Sequence, residues 1–321
     1  MRAARGIASS KPTVLVLRAL GLGDLMTAVP ALRSLRGHHP AHRLVLATTA
    51  PLEPLVREMP FVDGMVKTRP LDDLWIQLDP DDVAVNLHGR GPQSTARLLA
   101  TSPSRLVAFA HPDLPATFGF PRWRRREHEV ARWCRLLSQF DIDTPGNELA
   151  LDPPSRPPVR TGVTVIHPGA GSPARRWPPD RWAVVARHLA DAGEDVLITG
   201  SRSEVALADE VASRAGLPPS SVVAGTIDVA TLASTVAAAR RLLSSDTGPA
   251  HLATAYGTPS VVLFGPASPE EWGPPNRTRH RVLWKGRSGD SHGATIDPGL
   301  EAITVDEVLR AVDELQAVKP D

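Results

Sequence analysis

The feature that most constrains the fold is a regular alternation of short apolar runs with amphipathic helical patterns along the 321 residues. In the first half, runs rich in Val and Leu predict strands at 13–18, 43–48, 62–67 and 82–87. Helical spacing of apolar residues predicts helices between most of them, notably over 21–35, 93–100 and 127–140. Strands that alternate with helices imply right-handed crossovers and a mainly parallel sheet.

The same alternation restarts in the second half, after a stretch that lacks it. Strands are predicted at 162–166, 195–199, 221–223, 240–244 and 260–263, and helices at 179–192, 204–215, 229–239, 249–256 and 304–318. The proline-rich stretch 141–160 favours a linker. We therefore predict an α/β chain with two Rossmann-like, doubly wound domains, residues 1–150 and 151–300, that face a central cleft. Residues 301–321 are expected to form a terminal helix that packs back on the N-terminal domain.

The overall composition excludes some classes of function. A net charge of +1 argues against a nucleic-acid binder, which needs a concentrated excess of Lys and Arg. The single cysteine, Cys134, is expected to be a small buried side chain rather than a catalytic one. No apolar run approaches the roughly 20 residues of a membrane-spanning helix, so the sequence predicts a cytoplasmic protein, at most peripheral to a membrane.

The most informative polar turn is Ser244–His251, which follows one predicted strand and opens a helix. Unpaired N–H groups at a helix N-terminus favour an anion, above all a phosphate. Asp246 and Thr247 compete as the N-cap residue, Gly248 follows them, and His251 lies one turn into the helix. Two interpretations stay open: a diphosphate site and an ordinary capped helix.

A second polar turn follows the predicted strand 162–166. It contains His167, Gly169, Gly171 and Ser172, and two cations, Arg175 and Arg176, come directly after it. Exposed N–H groups beside two guanidinium groups suit a diphosphate, although the arginines are also compatible with solvated charges before a helix. After the next strand, Glu204 is placed either to bind the vicinal hydroxyls of a ribose or to cap a helix.

The first polar turn, Gly21-Leu22-Gly23-Asp24, follows the strand at 13–18. Met26 stands where a dinucleotide-binding fingerprint has its third glycine, which argues against a Rossmann dehydrogenase. Asp24 is predicted at a helix N-terminus, where the dipole keeps a carboxylate ionised. It is a candidate general base, and its alternative role is that of a plain N-cap.

Candidate acceptor-binding residues are polar side chains after predicted strands or in a basic loop. They are His88 and Arg90, which follow strand 82–87, and Arg122 and Arg124 in the stretch 122–126. The basic stretch suits an anionic acceptor, an acidic lipid surface, or simply a solvated loop. The D-x-D pattern at Asp79 and Asp81 is interpreted as a turn rather than a metal site, because it precedes a strand.

Taken together, these motifs resemble glycosyltransferase family 9, the heptosyltransferase-like enzymes of GT-B fold. The matching stretches are GDLMTAVPAL (Gly23–Leu32), HPGAGSPARRWPPDRW (His167–Trp182) and SSDTGPAHLATAYGTPSVVLFGP (Ser244–Pro266). They occur in the order typical of the family, and the resemblance runs over nearly the whole chain. Their conjunction is specific, although no single motif is.

The resemblance implies an inverting transfer of a sugar from a nucleotide diphosphate to an acceptor hydroxyl. Asp24 would be the catalytic base, and Asp246 would bind the donor sugar. The amides of Thr247 and Gly248 would hold the diphosphate, and Glu204 matches a carboxylate near the nucleoside loosely. Arg175 stands where the family commonly has a lysine, which keeps the charge but alters the donor geometry.

The expected donor is ADP-heptose, a substrate rather than a cofactor, and the scheme needs no metal and no cofactor. Lipopolysaccharide core is the family's usual acceptor, but a glycolipid, another glycan or a small natural product also fits. Two further functions stay open. One is a GT-B enzyme that uses another sugar nucleotide for transfer, epimerisation or hydrolysis, and the other is a non-catalytic sugar-nucleotide binding protein.

Overall fold

The computed structural model describes residues 11–146, 149–275 and 278–316, and it divides into two compact units, 1–149 and 150–321. The boundary expected from the sequence, after residue 150, differs from this division by one residue. Each unit is built on its own parallel five-stranded sheet. No helix within the described ranges has the length and apolarity that crossing a membrane requires.

Unit 1 contains a sheet with the strand order β3-β2-β1-β4-β5. Its strands are β1 (Thr13–Leu17), β2 (Arg43–Thr48), β3 (Gly64–Lys67), β4 (Val83–Asn86) and β5 (Arg105–Val107). Its helices are α1 (Leu22–Thr27), α2 (Val29–His38), α3 (Glu53–Val56), α4 (Gln93–Leu99) and α5 (Glu129–Ser138). The strand order reverses between β1 and β4, which pair in parallel. Such a switch point is where open α/β sheets bind ligands, beyond the carboxyl ends of the strands.

Unit 2 has the strand order β10-β9-β8-β6-β7. Its strands are β6 (Thr164–His167), β7 (Val196–Ile198), β8 (Arg241–Ser245), β9 (Ser260–Leu263) and β10 (His280–Leu283). Its helices are α6 (Pro179–Asp191), α7 (Val205–Ala215), α8 (Val229–Ala237), α9 (Gly248–Tyr256), α10 (Pro269–Trp272), α11 (Pro298–Glu301) and α12 (Val305–Gln316). Here the order reverses between β6 and β8, which pair in register from Thr164 opposite Arg241.

Continuous apolar runs become strands that are buried on both faces, as β1 shows with all five residues buried. In unit 2, the rings of Trp177 and Trp182 meet edge to face at 4.9 Å within the core. Helix α12 contributes Val308 and Val312 to the same core. The sequence analysis set residues 301–321 apart from the second domain, whereas the described part of this helix belongs to unit 2.

The predicted elements differ from the observed ones in several places. The predicted helix over 21–35 is two helices that divide at Ala28, because Pro30 has no N–H to continue the hydrogen-bond ladder. Strands β5 and β10 were not predicted, since both are short edge strands that carry arginine. The expected strand at 221–223 is only an isolated bridge between Ile198 and Val222.

Candidate active site

Asp24 lies in the first turn of α1, directly beyond the carboxyl end of β1. Its Oδ2 accepts a hydrogen bond of 3.2 Å from the N–H of Gly21, and its side chain is 29% exposed. Gly23 precedes it in the same turn and is half-buried. The alternative that Asp24 is a plain N-cap is wrong, because Gly21 is the N-cap residue of α1 and Asp24 is the third residue of the helix. Its carboxylate is held in one orientation and stays accessible to a substrate, and its role as a base stays a prediction.

Arg18 lies directly beneath Asp24, and the sequence analysis did not identify it. Its side chain is fully buried, its Nε donates to the carbonyl oxygen of Asp24 at 2.9 Å, and its Nη2 lies 3.3 Å from Asp24 Oδ1. The same Nη2 donates to Glu129 Oε1 at 3.0 Å, and the guanidinium lies 4.9 Å from the ring of Trp133. A buried guanidinium needs such complete pairing, because an unpaired buried charge is strongly destabilising.

His88 follows β4 and lies at the same switch point. The N–H of Ala19 donates to its Nδ1 at 3.2 Å, so the neutral ring carries its proton on Nε2. Burial lowers the pKa of His88, and the cation of Arg18 lowers it further, against the opposing effect of the Asp24 carboxylate. The backbone N–H of His88 donates to Asn86 Oδ1 at 2.9 Å, which fixes this turn. The structure thus brings Asp24 and His88 to one place, because their strands β1 and β4 are paired, and the role of His88 in binding an acceptor stays a prediction.

The remaining acceptor candidates are Arg90, Arg122 and Arg124, and all three are exposed. The loop that carries Arg122 and Arg124 is anchored by Trp123, whose ring packs against Phe109 at 5.1 Å. The guanidinium of Arg132 lies 4.2 Å from the ring of Trp123. Their role in binding an acceptor stays a prediction.

In unit 2, the turn after β8 places Asp246 beside the N-terminus of α9. Thr247, with an extended backbone, is the N-cap residue, and Gly248 is the first residue of the helix. Of the two predicted N-cap candidates, Thr247 is therefore the N-cap residue and Asp246 is not. Asp246 is buried at 5% exposure. Its Oδ1 lies 3.9 Å from His251 Nε2, and its Oδ2 lies 3.9 Å from Arg175 Nη1.

Arg175 lies in the loop after β6, and it reaches Asp246 in the turn after β8 because these two strands are paired. Its guanidinium lies across Gly171, where a Cβ atom would come within 2.9 Å of Nη2. The side chain is 27% exposed, yet its buried Nε has no hydrogen-bond partner within the described residues. Among the described residues, the buried hydroxyls of Ser244 and Ser245 at the end of β8 also have no hydrogen-bond partner. Because successive strand residues point to opposite faces of the sheet, these two hydroxyls lie on opposite sides of β8.

His167, Gly169 and Glu204 form a second group, at the carboxyl ends of β6 and β7. Glu204 Oε2 accepts from the N–H of Ser201 at 2.8 Å and lies 3.9 Å from His167 Nε2. A Cβ atom at position 169 would lie 2.2 Å from Glu204 Oε1, so a larger residue there requires the carboxylate to move. Burial lowers the pKa of His167, against the effect of the Glu204 carboxylate, and its Nδ1 bonds Thr199 Oγ1 at 2.9 Å. Glu204 therefore holds its loop in place at the position where the ribose was expected.

Two of the predicted donor residues fix the loop after β6. Arg176 Nε donates to the carbonyl oxygen of Ala170 at 3.0 Å. Ser172 Oγ donates to the carbonyl oxygen of Ser291 at 2.6 Å. The N–H of Ala174 donates to the carbonyl oxygen of Gly293 at 3.2 Å. These bonds shape the loop that carries Arg175, so a direct contact between a donor and Ser172 or Arg176 stays a prediction.

Two structural interpretations from the sequence are confirmed. Asp82 is buried and accepts from the N–H groups of Thr13 at 2.6 Å and Asp79 at 2.9 Å, so the acidic segment is a turn at the amino ends of β1 and β4. Cys134 is buried at 5% exposure, and burial raises the pKa of its thiol to about 11.

The fold of the chain is that of solved heptosyltransferases. A glycosyltransferase family 9 structure from Veillonella parvula aligns with a TM-score of 0.76 and 18% identity, covering 96% of this chain and 97% of that one. The structure of Escherichia coli ADP-heptose LPS heptosyltransferase II aligns with a TM-score of 0.71 and 20% identity, covering 94% and 98%. The chain therefore has the GT-B fold that the resemblance implied.

Curated relatives are similar over part of their length. Lipopolysaccharide heptosyltransferase 2 of Escherichia coli (strain K12) is 26% identical over 249 residues, which cover 73% of this chain and 65% of the relative. The Salmonella typhimurium protein of the same name is 27% identical over 70% of this chain and 62% of its own length. The matched part thus spans less than two thirds of each relative.

A family model, described as glycosyltransferase family 9 (heptosyltransferase), matches residues 121–292. This range is more than half of the chain and contains the loop with Arg175 as well as the turn with Asp246. It also begins at the basic loop of unit 1. The chain belongs to glycosyltransferase family 9.

Proposed function

We propose that this protein is an inverting glycosyltransferase that moves a heptose from ADP-heptose to an acceptor hydroxyl. The observation that carries the proposal is the meeting of Arg175, Asp246 and the N-terminus of α9 at the switch point of unit 2. The names of the relatives support the donor, because one solved neighbour is the E. coli heptosyltransferase WaaC with ADP-2-deoxy-2-fluoro heptose, at 17% identity and a TM-score of 0.70.

The donor diphosphate is proposed to bind at the start of α9. The backbone N–H groups of Thr247 and Gly248 supply donors at the positive end of the helix dipole, and Arg175 adds a guanidinium. Asp246 and His251 are then placed to hold sugar hydroxyls, which exchange hydrogen bonds with a carboxylate and an imidazole. Glu204 lies at the nucleoside end of this assignment, with His167 and Gly169 behind it.

The chemical step is a single displacement at the anomeric carbon. The acceptor oxygen forms a bond to this carbon while the bond to the diphosphate oxygen breaks, and ADP leaves with the electron pair. The acceptor proton passes to Asp24, whose carboxylate is accessible. Negative charge that develops on the leaving diphosphate is stabilised by Arg175 and the N–H groups of α9. Attack opposite to the leaving group inverts the anomeric configuration.

We propose that transfer needs neither a metal ion nor a cofactor, since Arg175 and the helix N-terminus supply the positive charge in this scheme. EDTA should therefore leave the rate unchanged. An acceptor with anionic groups is favoured by the exposed Arg90, Arg122 and Arg124. The same arginines suit contact with an acidic membrane surface on which a glycolipid acceptor is presented. Lipopolysaccharide, which the name of the relatives contains, is the first acceptor to test.

Isothermal calorimetry with ADP, UDP and GDP, with and without magnesium, tests the donor site. Binding of ADP without magnesium, followed by transfer from ADP-heptose to a heptose-deficient lipopolysaccharide core, is the expected result. Preference for UDP or GDP would replace the donor while keeping the enzyme class. Absence of binding for all three nucleotides would contradict the proposal.

A further inference from the structure

Asp24 is held by its own turn and by Arg18, and Arg18 is in turn held by groups from two other parts of unit 1. Arg18, at the end of β1, donates from Nε to the Asp24 carbonyl oxygen at 2.9 Å and from Nη2 to the Asp24 carboxylate at 3.3 Å. Its Nη1 donates to the carbonyl oxygen of Leu87, the residue before His88. One guanidinium thus joins the turn after β1 to the turn after β4.

The other side of Arg18 is fixed by α5. Glu129 is buried at 5% exposure, and its Oε1 accepts from Arg18 Nη2 and from Trp133 Nε1, each at 3.0 Å. Its Oε2 is paired with Arg132. Glu129 would therefore keep the cation of Arg132 and the indole N–H of Trp133 as partners even without Arg18. Pairing the charge of Glu129 does not by itself explain why Arg18 is present.

The charges of this group balance. Arg18 and Arg132 face Asp24 and Glu129, and the nearby His88 is kept neutral by burial and by Arg18. Arginine suits the central position because its planar fork presents donors in several fixed directions, whereas a lysine ammonium is a single point. Arg18 directly follows the apolar strand β1, and its side chain contacts both turns of the switch point.

We propose that Arg18 is a positioning residue for the transfer reaction, acting by fixing Asp24 and the turn before His88 in the geometry that catalysis needs. This inference rests on the proposed function, because it assigns to Arg18 a role that acts through the proposed base. Small displacements of a base from its reactive geometry are costly, so the loss should be in kcat rather than in donor affinity.

The test is a double-mutant cycle on the full chain, with Arg18→Met, Asp24→Asn and the double variant. Arg18→Met keeps an unbranched apolar stem and removes the guanidinium, and Glu129 retains Arg132 and Trp133. With an active wild type, we expect Arg18→Met to lower kcat about 30- to 100-fold, with donor KM unchanged, a loss in the range that a positioned acid-base group supplies. In the Asp24→Asn background, the same substitution should cost less than about twofold, because its effect passes through Asp24.

Two further variants separate positioning from stability. Arg18→Lys keeps the charge and should remain at least about 10-fold below wild type, because a lysine cannot contact both turns. Arg241→Met is the matched control, since Arg241 is equally buried, at 3% exposure, and pairs with Glu194 at 3.0 Å in unit 2. It should lower the melting temperature while leaving kcat of the folded protein unchanged.

The outcomes distinguish the two hypotheses. Losses that multiply in the double variant, or full rescue by Arg18→Lys, would show that Arg18 acts on folding or by charge alone and would overturn its positioning role. A wild type that transfers no sugar from any nucleotide donor would overturn the proposed function, and the positioning role with it.

Discussion

The two topological switch points hold their charged groups in opposite ways. In unit 1, Arg18 is fully buried and bonds directly to Asp24 and Glu129, with separations of 3.3 and 3.0 Å. In unit 2, Arg175 is 27% exposed, its Nη1 donates a long hydrogen bond of 3.5 Å to the carbonyl oxygen of Asp246, and it lies 3.9 Å from the Asp246 carboxylate. Its buried Nε has no hydrogen-bond partner among the described residues. The first arginine is thus fully buried and paired with two carboxylates, whereas the second is partly exposed and weakly bonded. This difference agrees with the proposed roles of Asp24 as a base that must stay in place and of Arg175 as a group that binds a diphosphate.

Asp24→Asn should have the largest effect on the transfer rate, because it removes the proposed proton acceptor from unit 1. We expect transfer to fall about 1,000-fold, within the range of general base catalysis. Binding of ADP, measured by calorimetry, should change less than about twofold, since the diphosphate residues belong to unit 2. Asp113→Asn, a substitution at an exposed carboxylate of the same unit, should leave transfer unchanged. Wild-type activity in Asp24→Asn would remove Asp24 from the mechanism.

Arg175→Ala tests whether the guanidinium of Arg175 binds the diphosphate of a nucleotide in unit 2. A hydrogen bond to a charged group contributes about 1.5–3 kcal/mol, so the affinity for ADP should fall about 10- to 100-fold. The affinity for adenosine, which has no phosphate, should fall much less. Arg214→Ala, at an exposed arginine on α7, serves as the control for loss of a positive charge. Equal losses for ADP and adenosine would show that Arg175 supports the loop rather than the phosphate.

Gly169→Ala tests the close packing of the Glu204 carboxylate against the loop that contains Gly169. The added Cβ would lie 2.2 Å from Glu204 Oε1, so the carboxylate must move and its bond to the N–H of Ser201 is disturbed. We expect a loss of about 1–3 kcal/mol in the free energy of unfolding, measured by urea denaturation.

Gly37→Ala is the matched control, because nothing lies within 4 Å of the added atom and the residue is in a helix. It should raise the stability by about 0.5–1 kcal/mol. If Gly169→Ala were equally stabilising, the close approach of Glu204 to the loop would be wrong.

The smallest expected effect concerns pH, and it lies outside both switch points. Burial, the neighbouring His42 and His38, and Arg105 lower the pKa of His39 from 6.5 to about 4. The unfolded chain therefore binds more protons than the native one between these values, so stability falls as the pH decreases from 6.5 towards 4. His39→Asn should reduce the stability lost between pH 7 and pH 5, by less than about 1 kcal/mol because the ring is partly exposed.

Urea denaturation of wild type and His39→Asn at both pH values measures this difference. His38→Asn, at an exposed neighbour, provides the control and should change the pH dependence less. An identical acid loss in wild type and His39→Asn would assign the acid sensitivity to other groups, such as the buried His167 of unit 2.

The sequence predicted the alternation of strands and helices, because this alternation depends on local patterns. Polar turns that follow neighbouring parallel strands meet at one edge of the sheet, as Asp24 meets His88 and Arg175 meets Asp246, but the strand order that makes them neighbours comes from tertiary pairing. The roles of these residues in binding and catalysis stay predictions. The edge strands β5 and β10 were missed because they are only three and four residues long and begin with Arg105 and His280. Tertiary pairing, rather than local propensity, decides such strands.

The support beneath Asp24 could not be read from the sequence. Arg18 looked like the end of an apolar run, and its partner Glu129 is 111 residues away. A single arginine in a buried strand was nevertheless a signal, since burial of a guanidinium demands several acceptors. Likewise, the close packing at Gly169 comes from Glu204, in the turn between β7 and α7, and not from the turn that contains Gly169.

The bonds of Ser172 and Ala174 to Ser291 and Gly293 have a consequence for synthesis of the chain. The loop that carries Arg175 receives these contacts from residues roughly 120 positions later, and Trp177 Nε1 likewise donates to the carbonyl oxygen of Ile303 at 3.0 Å. On the ribosome, where domains fold in order as they emerge, unit 1 has all its strands long before these anchors are translated. A nascent chain should therefore acquire its base early and its donor affinity only near the end of translation.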